Sequence, residues 1–183
     1  DGKLKERKRF VKGKLQGQEI AYHEDGVQLA KEAIYKNGKL HGDQKRYYPD
    51  GSLQALMQYD QGVLHGKKVL YDAEGSRIEE AFYDHGSLIG TYYLKRQNGS
   101  EVISEYKENK LNGLHQVYYP LHPVYGRVKA MEAYFRNGLL DGELSQFNEE
   151  GVKIMNAAYK EGRREGLLTL YSPEGKSVFS AER

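Results

Sequence analysis

Leu53, Ala55, Met57 and Tyr59 alternate with Gln54, Leu56 and Gln58, a period of two that predicts a half-buried β-strand. Similar runs recur along the chain, and glycine-bearing stretches such as Tyr35-Lys36-Asn37-Gly38 and Tyr48-Pro49-Asp50-Gly51 separate them. Asn-Gly, repeated in Phe135-Arg136-Asn137-Gly138, suits a two-residue hairpin turn. In the second kind of turn, also present as Ser172-Pro173-Glu174-Gly175, Pro presets the first central φ and Gly takes the positive one. Pro120 shares that slot with Pro49 and Pro173, which keeps three prolines out of the ladder. Helical periodicity is nowhere sustained, so the chain reads as all-β.

The strands and turns belong to one repeating sentence: aromatic-x-x-Gly-x-Leu-x-Gly, four variable residues, aromatic, three variable residues, Gly. Its first aromatics are Phe10, Tyr35, Tyr59, Tyr83, Tyr106, Phe135 and Tyr159, with steps of 25, 24, 24, 23, 29 and 24 residues. Seven repeats therefore start at 10, 35, 59, 83, 106, 135 and 159, after a partial leading repeat over 1–9, and residues 1–183 form one repeat domain. All 21 glycines occupy the three Gly slots, Gly2 being the third slot of the leading repeat, and the one vacant slot holds Asn109. Asn is the residue other than Gly that best tolerates positive φ, so these slots are expected to need a left-handed backbone. A repeat architecture follows. A small residue stands two before most first aromatics (Ala33, Ala81, Ser104, Ala133 and Ala157, with Met57 the exception), which puts it on the aromatic's face. It is expected to leave room for an aromatic of a neighbouring strand. Glycine bulges can reverse the alternation, so the face of each aromatic stays open.

With 38 % hydrophobic residues the 183-residue chain is too polar to fill one large globular core, whereas stacked repeats need only a thin shared layer. Right-handed twist should coil the stack into an elongated rod or trough. No run is long enough to span a membrane, and no secretory segment opens the chain. Asp1-Gly2 begins inside a repeat, so the chain reads as trimmed upstream and its compartment is left open. Absence of cysteine removes disulfide and thiol chemistry.

The recurring Tyr-x-x-Gly-x-Leu-x-Gly-x-x-x-x-Tyr resembles the bacterial variant of the MORN repeat over nearly the whole chain. The resemblance implies one β-hairpin per repeat, stacked into an extended, twisted antiparallel sheet. Bacterial proteins of this variant are often immunity or antitoxin components encoded beside a toxin. The resemblance thus implies a non-enzymatic protein that binds a co-encoded toxin or secreted effector. A monomer before binding is expected, and the compartment, bacterial periplasm or cytoplasm, stays open. Eukaryotic MORN proteins suggest the alternative of a membrane- or lipid-associated scaffold. No catalytic residue carries over. The chain departs from the pattern at Asn109, at Arg164 in the Leu slot, at Lys95 in the second aromatic slot, and in an insertion in repeat five.

Candidate chemistry is sparse. His41 and His65 both fill the x of Leu-x-Gly, one repeat apart. That slot also holds Gln16, Ile89, Asn112, Asp141 and Glu165, so no metal-ligand role is assigned to it. Gly175-Lys176-Ser177 ends like a phosphate loop, but Leu170 stands where the first glycine is required. Asp25, Asp50, Glu74, Glu150 and Glu174 sit in turns, where local hydrogen bonding explains carboxylates. Neither catalysis nor a cofactor is expected. Lys3, Lys5, Arg7, Lys8, Arg9, Lys12 and Lys14 crowd one strand region in a chain of net charge +2. They can meet an anionic lipid surface or, as lysines often do, protect an edge strand. No aromatic platform is interleaved with them, so nucleic acid is not expected.

Aromatics that the repeat does not require are more informative: Tyr48, Phe82, Tyr92, Tyr93, Tyr119, Tyr125, Tyr134 and Phe179. Tyrosine is enriched at protein-binding hot spots. Repeat five spends four extra residues on its Pro turn, in Tyr118-Tyr119-Pro120-Leu121-His122-Pro123-Val124-Tyr125-Gly126. A loop that departs from its scaffold and carries apolar groups is a candidate contact element. The expected protein-binding residues are Tyr119, Leu121, His122 and Tyr125, with Tyr92 and Tyr93 of repeat four beside them.

Overall fold

The computed structural model describes residues 3–182, so Gly2 and its slot lie outside the described residues. The chain divides into two compact units between Ser87 and Leu88. The first carries β1 (Glu6–Arg7), β2 (Phe10–Val11), β3 (Lys14–Leu15), β4 (Gly17–Tyr22), β5 (Leu29–Lys36), β6 (Lys39–Tyr47), β7 (Leu53–Asp60), β8 (Val63–Tyr71) and β9 (Arg77–Asp84). The second carries β10 (Ser87–Lys95) from its second residue on, β11 (Glu101–Lys107), β12 (Lys110–Tyr118), β13 (Lys129–Arg136), β14 (Leu139–Phe147), β15 (Lys153–Lys160), β16 (Arg163–Tyr171) and β17 (Ser177–Ala181). Within each unit the pairings of the described residues are antiparallel between chain neighbours, except that β1 joins β4 directly while β2 and β3 form a short ribbon of their own. The protein is all-β, with no helix among the described residues.

Seven two-residue loops close the hairpins: Lys12-Gly13, Asn37-Gly38, Gln61-Gly62, His85-Gly86, Glu108-Asn109, Asn137-Gly138 and Glu161-Gly162, each with both residues at positive φ. That is the type I′ geometry whose twist matches the flanking strands. Asn109, at φ 65°, takes the left-handed conformation inferred from its place in a glycine slot. The structure extends the Asn-Gly reading to Lys, Gln, His and Glu, which accept positive φ because the hairpins on both sides fix the turn.

The Pro turn differs from expectation. Gly51 N–H donates to the Tyr48 carbonyl at 2.9 Å and Tyr48 N–H to the Ser52 carbonyl at 2.9 Å. Pro49 and Asp50 are thus the central residues, and Gly51 at φ 87° follows the turn as a bulge. The Asp50 carboxylate accepts the Ser52 hydroxyl at 2.6 Å and the Ser52 N–H at 2.8 Å, and these bonds, the hydroxyl first, hold its pKa below the ordinary value.

Cross-strand register explains the second glycine. Gly17, Gly42 and Gly66 lie directly opposite Tyr35, Tyr59 and Tyr83, as Gly90, Gly113 and Gly142 lie opposite Tyr106, Phe135 and Tyr159. Six of the seven first aromatics therefore face a strand position with no side chain, a pairing by which rings can cover glycines in sheets, whereas Phe10 pairs with Leu15. The small residue two positions earlier faces larger side chains on the neighbouring strands: Ser104 lies opposite Tyr92, an aromatic of the adjacent strand. Ala33 pairs with Glu19 and Gln44, and Ala133 with His115 and Leu144, so it alternates with long neighbours across the sheet. Ala33, Ala81, Ser104, Ala133 and Ala157 are all at most 1 % exposed. Where Met57 breaks the rule, Ala55 is the buried residue instead. With Ile20 and Val69 in the first unit and Val102 and Val128 in the second, these small side chains make up the core of the described residues.

Candidate interaction site

In repeat five the inserted residues leave the sheet after β12 and return to it at β13. Tyr119 N–H donates to the Val128 carbonyl at 3.0 Å, the bond that Tyr48 makes to Ser52 in the regular turn. Gly126 was expected in the third Gly slot of this turn. It belongs instead to a small inner loop, in which His122 and Gly126 exchange N–H to carbonyl bonds of 2.9 Å. The scaffold turn closes on Val128, 7 % exposed, and the insertion projects beyond it.

Inside the loop, His122 Nδ1 accepts the N–H groups of Val124 and Tyr125, both at 3.1 Å. Its ring lies 4.7 Å from that of Tyr125, tilted by 30°. These contacts and two prolines hold the loop in one shape, and that shape presents Leu121 and Val124 at 77 % exposure and Tyr125 at 52 %. A hollow of about 150 Å³ lies between Tyr119, Leu121, His122 and Glu149.

The anticipated residues separate into three groups. Leu121, His122 and Tyr125 share the loop. Tyr119 is half-buried at its base, and its hydroxyl donates to the Phe147 carbonyl at 2.8 Å. Tyr92 and Tyr93 are consecutive on a regularly paired stretch of β10, opposite Ser104 and Ile103, so their side chains leave opposite faces. Tyr93 is on the face that meets the loop: its hydroxyl donates to Glu101 Oε1 at 2.9 Å, and Arg127 of the loop grips Glu101 Oε2 at 2.7–2.8 Å. Tyr92 turns the other way and packs edge-on to Tyr106, with ring centroids 5.9 Å apart.

Arg127 was not anticipated, nor were Glu101, Tyr118 and Val124. The Arg127 guanidinium lies 3.8 Å from the Tyr118 ring centroid, so stacking and an ion pair together fix the loop's return. Such stacking is worth about 0.5–1 kcal/mol where exposed. Tyr118 continues the network to Gln116 at 3.1 Å, which donates to Glu132 at 2.7 Å. Lys129 and Gln116 hold the Glu132 carboxyl below its ordinary pKa. The only sequence signal for Arg127 is its place beside Gly126 in the inserted stretch; Glu101 carries no sequence signal at all.

The basic region is exposed from Lys3 to Lys14. Lys8 is tied down, to Glu6 at 2.7 Å and to Glu19 at 3.3 Å. No described helix is long and apolar enough to cross a membrane.

Stacked two-turn hairpins with Gly-aromatic pairing define a β-hairpin repeat protein. A family model for the MORN repeat variant matches residues 40–61, from the Leu-x-Gly of repeat two to the first turn of repeat three, and supports a MORN-repeat protein. Such repeats serve generally in protein or membrane binding and are typically non-enzymatic. The comparison with curated proteins finds no match.

Proposed function

We propose that this is a non-enzymatic binding protein of the immunity or antitoxin kind, which neutralises a co-encoded antibacterial toxin by direct association through the loop of repeat five. The observation that carries the reading is the loop itself: a braced, apolar insertion on a scaffold that closes its turn without needing it. Internal bracing limits the entropy lost on binding. Leu121, Val124 and Tyr125 are the contact side chains, Tyr93 and Arg127 flank them, and Tyr119 and His122 hold the loop in shape.

Co-purification with the product of the neighbouring gene tests the reading, followed by hydrogen exchange on the complex. Protection of residues 119–128 supports it. A complex whose protection maps only to repeats one, two and seven overturns it. The exposed basic strands favour a lipid-associated scaffold as the second reading, and sedimentation with anionic vesicles in the absence of any protein partner would support that one instead.

A further inference from the structure

One cluster of donor side chains in the first unit has no part in the loop. His65 occupies the x of Leu-x-Gly on β8, Asp84 ends β9, and His85 opens the next turn at φ 44°. Asp84 Oδ1 stands 3.3 Å from His65 Nδ1 and 2.7 Å from His85 Nδ1. The two imidazole rings are 4.4 Å apart at 46°. One donor atom from each residue lies within 4.8 Å of the others, and all three residues are exposed.

We propose that His65, Asp84 and His85 form a binding site for a divalent transition cation, with Zn²⁺ as the best-fitting ion. Two imidazoles and one carboxylate are donors that Zn²⁺ takes at about 2.0–2.2 Å. Around a tetrahedral ion such donors stand roughly 3.3–3.5 Å from one another. The His65–Asp84 separation of 3.3 Å already has that value, and small rotations of exposed side chains bring His85 to it. A fourth position faces solvent. Because His65 belongs to repeat three and Asp84-His85 to repeat four, the ion would clip together neighbouring hairpins.

Capping alone explains only part of the cluster. The His85 N–H points at His65 Nδ1 at 3.4 Å, much as Gln16 accepts from Asn37 at 2.8 Å and Asn112 from Asn137 at 3.2 Å. A cap accounts for His65 but not for a second imidazole around the same carboxylate. The chain supplies its own control one repeat earlier, where His41 Nδ1 lies 3.0 Å from Asp60 Oδ1 and Gln61 takes the place of His85. That step has two of the three donors.

The test is calorimetric titration of the untagged full chain with Zn²⁺ alone, with the imidazole resonances of His65 and His85 followed by NMR. One equivalent should bind and shift both histidines. His85→Asn keeps a residue that tolerates the turn, as Asn37 and Asn137 do, and should lower affinity at least tenfold with unchanged circular dichroism. Gln61→His should add a second equivalent. The proposal is overturned if no saturable binding occurs at millimolar Zn²⁺, if His85→Asn binds as tightly as the parent, or if Gln61→His still binds one equivalent.

Discussion

The Pro turn of repeat two and the loop of repeat five begin alike and end differently. Tyr48-Pro49 and Tyr119-Pro120 each follow a second aromatic, and each tyrosine hydroxyl donates at 2.8 Å to the carbonyl of the next repeat's second aromatic, Tyr71 in one case and Phe147 in the other. Both tyrosine N–H groups close the turn onto a carbonyl, 2.9 Å to Ser52 and 3.0 Å to Val128. Between those bonds repeat two has only Pro49, Asp50 and Gly51, whereas repeat five carries a braced apolar loop. The scaffold is complete in both cases, so the added residues are free to serve recognition. Stability and binding should therefore respond to different substitutions.

The largest effect is expected on the scaffold side. Gly66 has φ 102°, and a Cβ built on it would stand 2.5 Å from Gln58 Oε1 and 3.2 Å from Gln58 Cβ. A β-branched residue there meets both left-handed strain and crowding. Gly66→Val should cost about 2–3 kcal/mol, against about 1–2 kcal/mol for Gly42→Val, where the nearest atom would be Ile34 Cδ1 at 3.8 Å. Asn should be milder than Val at both sites. Urea unfolding checks the ranking, and equal tolerance of Val and Asn would break the backbone argument.

A matched pair comes next. Tyr48→Phe and Tyr119→Phe each remove one half-buried hydroxyl bond, worth about 1 kcal/mol. The two should lose similar stability, measured by the same unfolding curves. A much larger loss at Tyr119 would mean that the insertion has become part of the scaffold.

The smallest effect is a pH dependence. Half-buried His115 sits 2.7 Å from the Ser104 hydroxyl, and burial, with the charge of Arg96 adding to it, holds its pKa below the ordinary value. The unfolded chain then binds this proton more readily than the native one. Stability should fall as pH drops below about 6.5, and His115→Gln should flatten that part of the profile. An unchanged profile would show that His115 does not titrate differently in the two states.

Much of the scaffold was legible because its constraints are local. A residue in a type I′ loop must accept positive φ, so glycines and Asn109 announce themselves. Alternation from Leu53 to Tyr59 reports β7 for the same reason. The site was harder, because it depends on neighbours that sequence spacing does not show. Gly126 looked like a third-slot glycine, yet it closes an inner loop whose return is fixed by Glu101, 26 positions from Arg127. Tyr92 and Tyr93 were grouped by adjacency, and strand alternation separates them. His65 and His85 stand 20 positions apart, so their meeting around Asp84 appears only once repeats three and four are side by side.

The most direct measurement replaces residues 121–127 by Asp-Gly, so that Tyr119-Pro120 runs into Val128 as Tyr48-Pro49 runs through Asp50-Gly51 into Ser52. Thermal unfolding and partner affinity are then compared with the parent. The account predicts a midpoint within a few degrees of the parent, equivalent to less than about 1 kcal/mol, and affinity reduced at least tenfold, about 1.4 kcal/mol. A variant that unfolds far earlier, or that binds its partner as tightly as the parent, would contradict it.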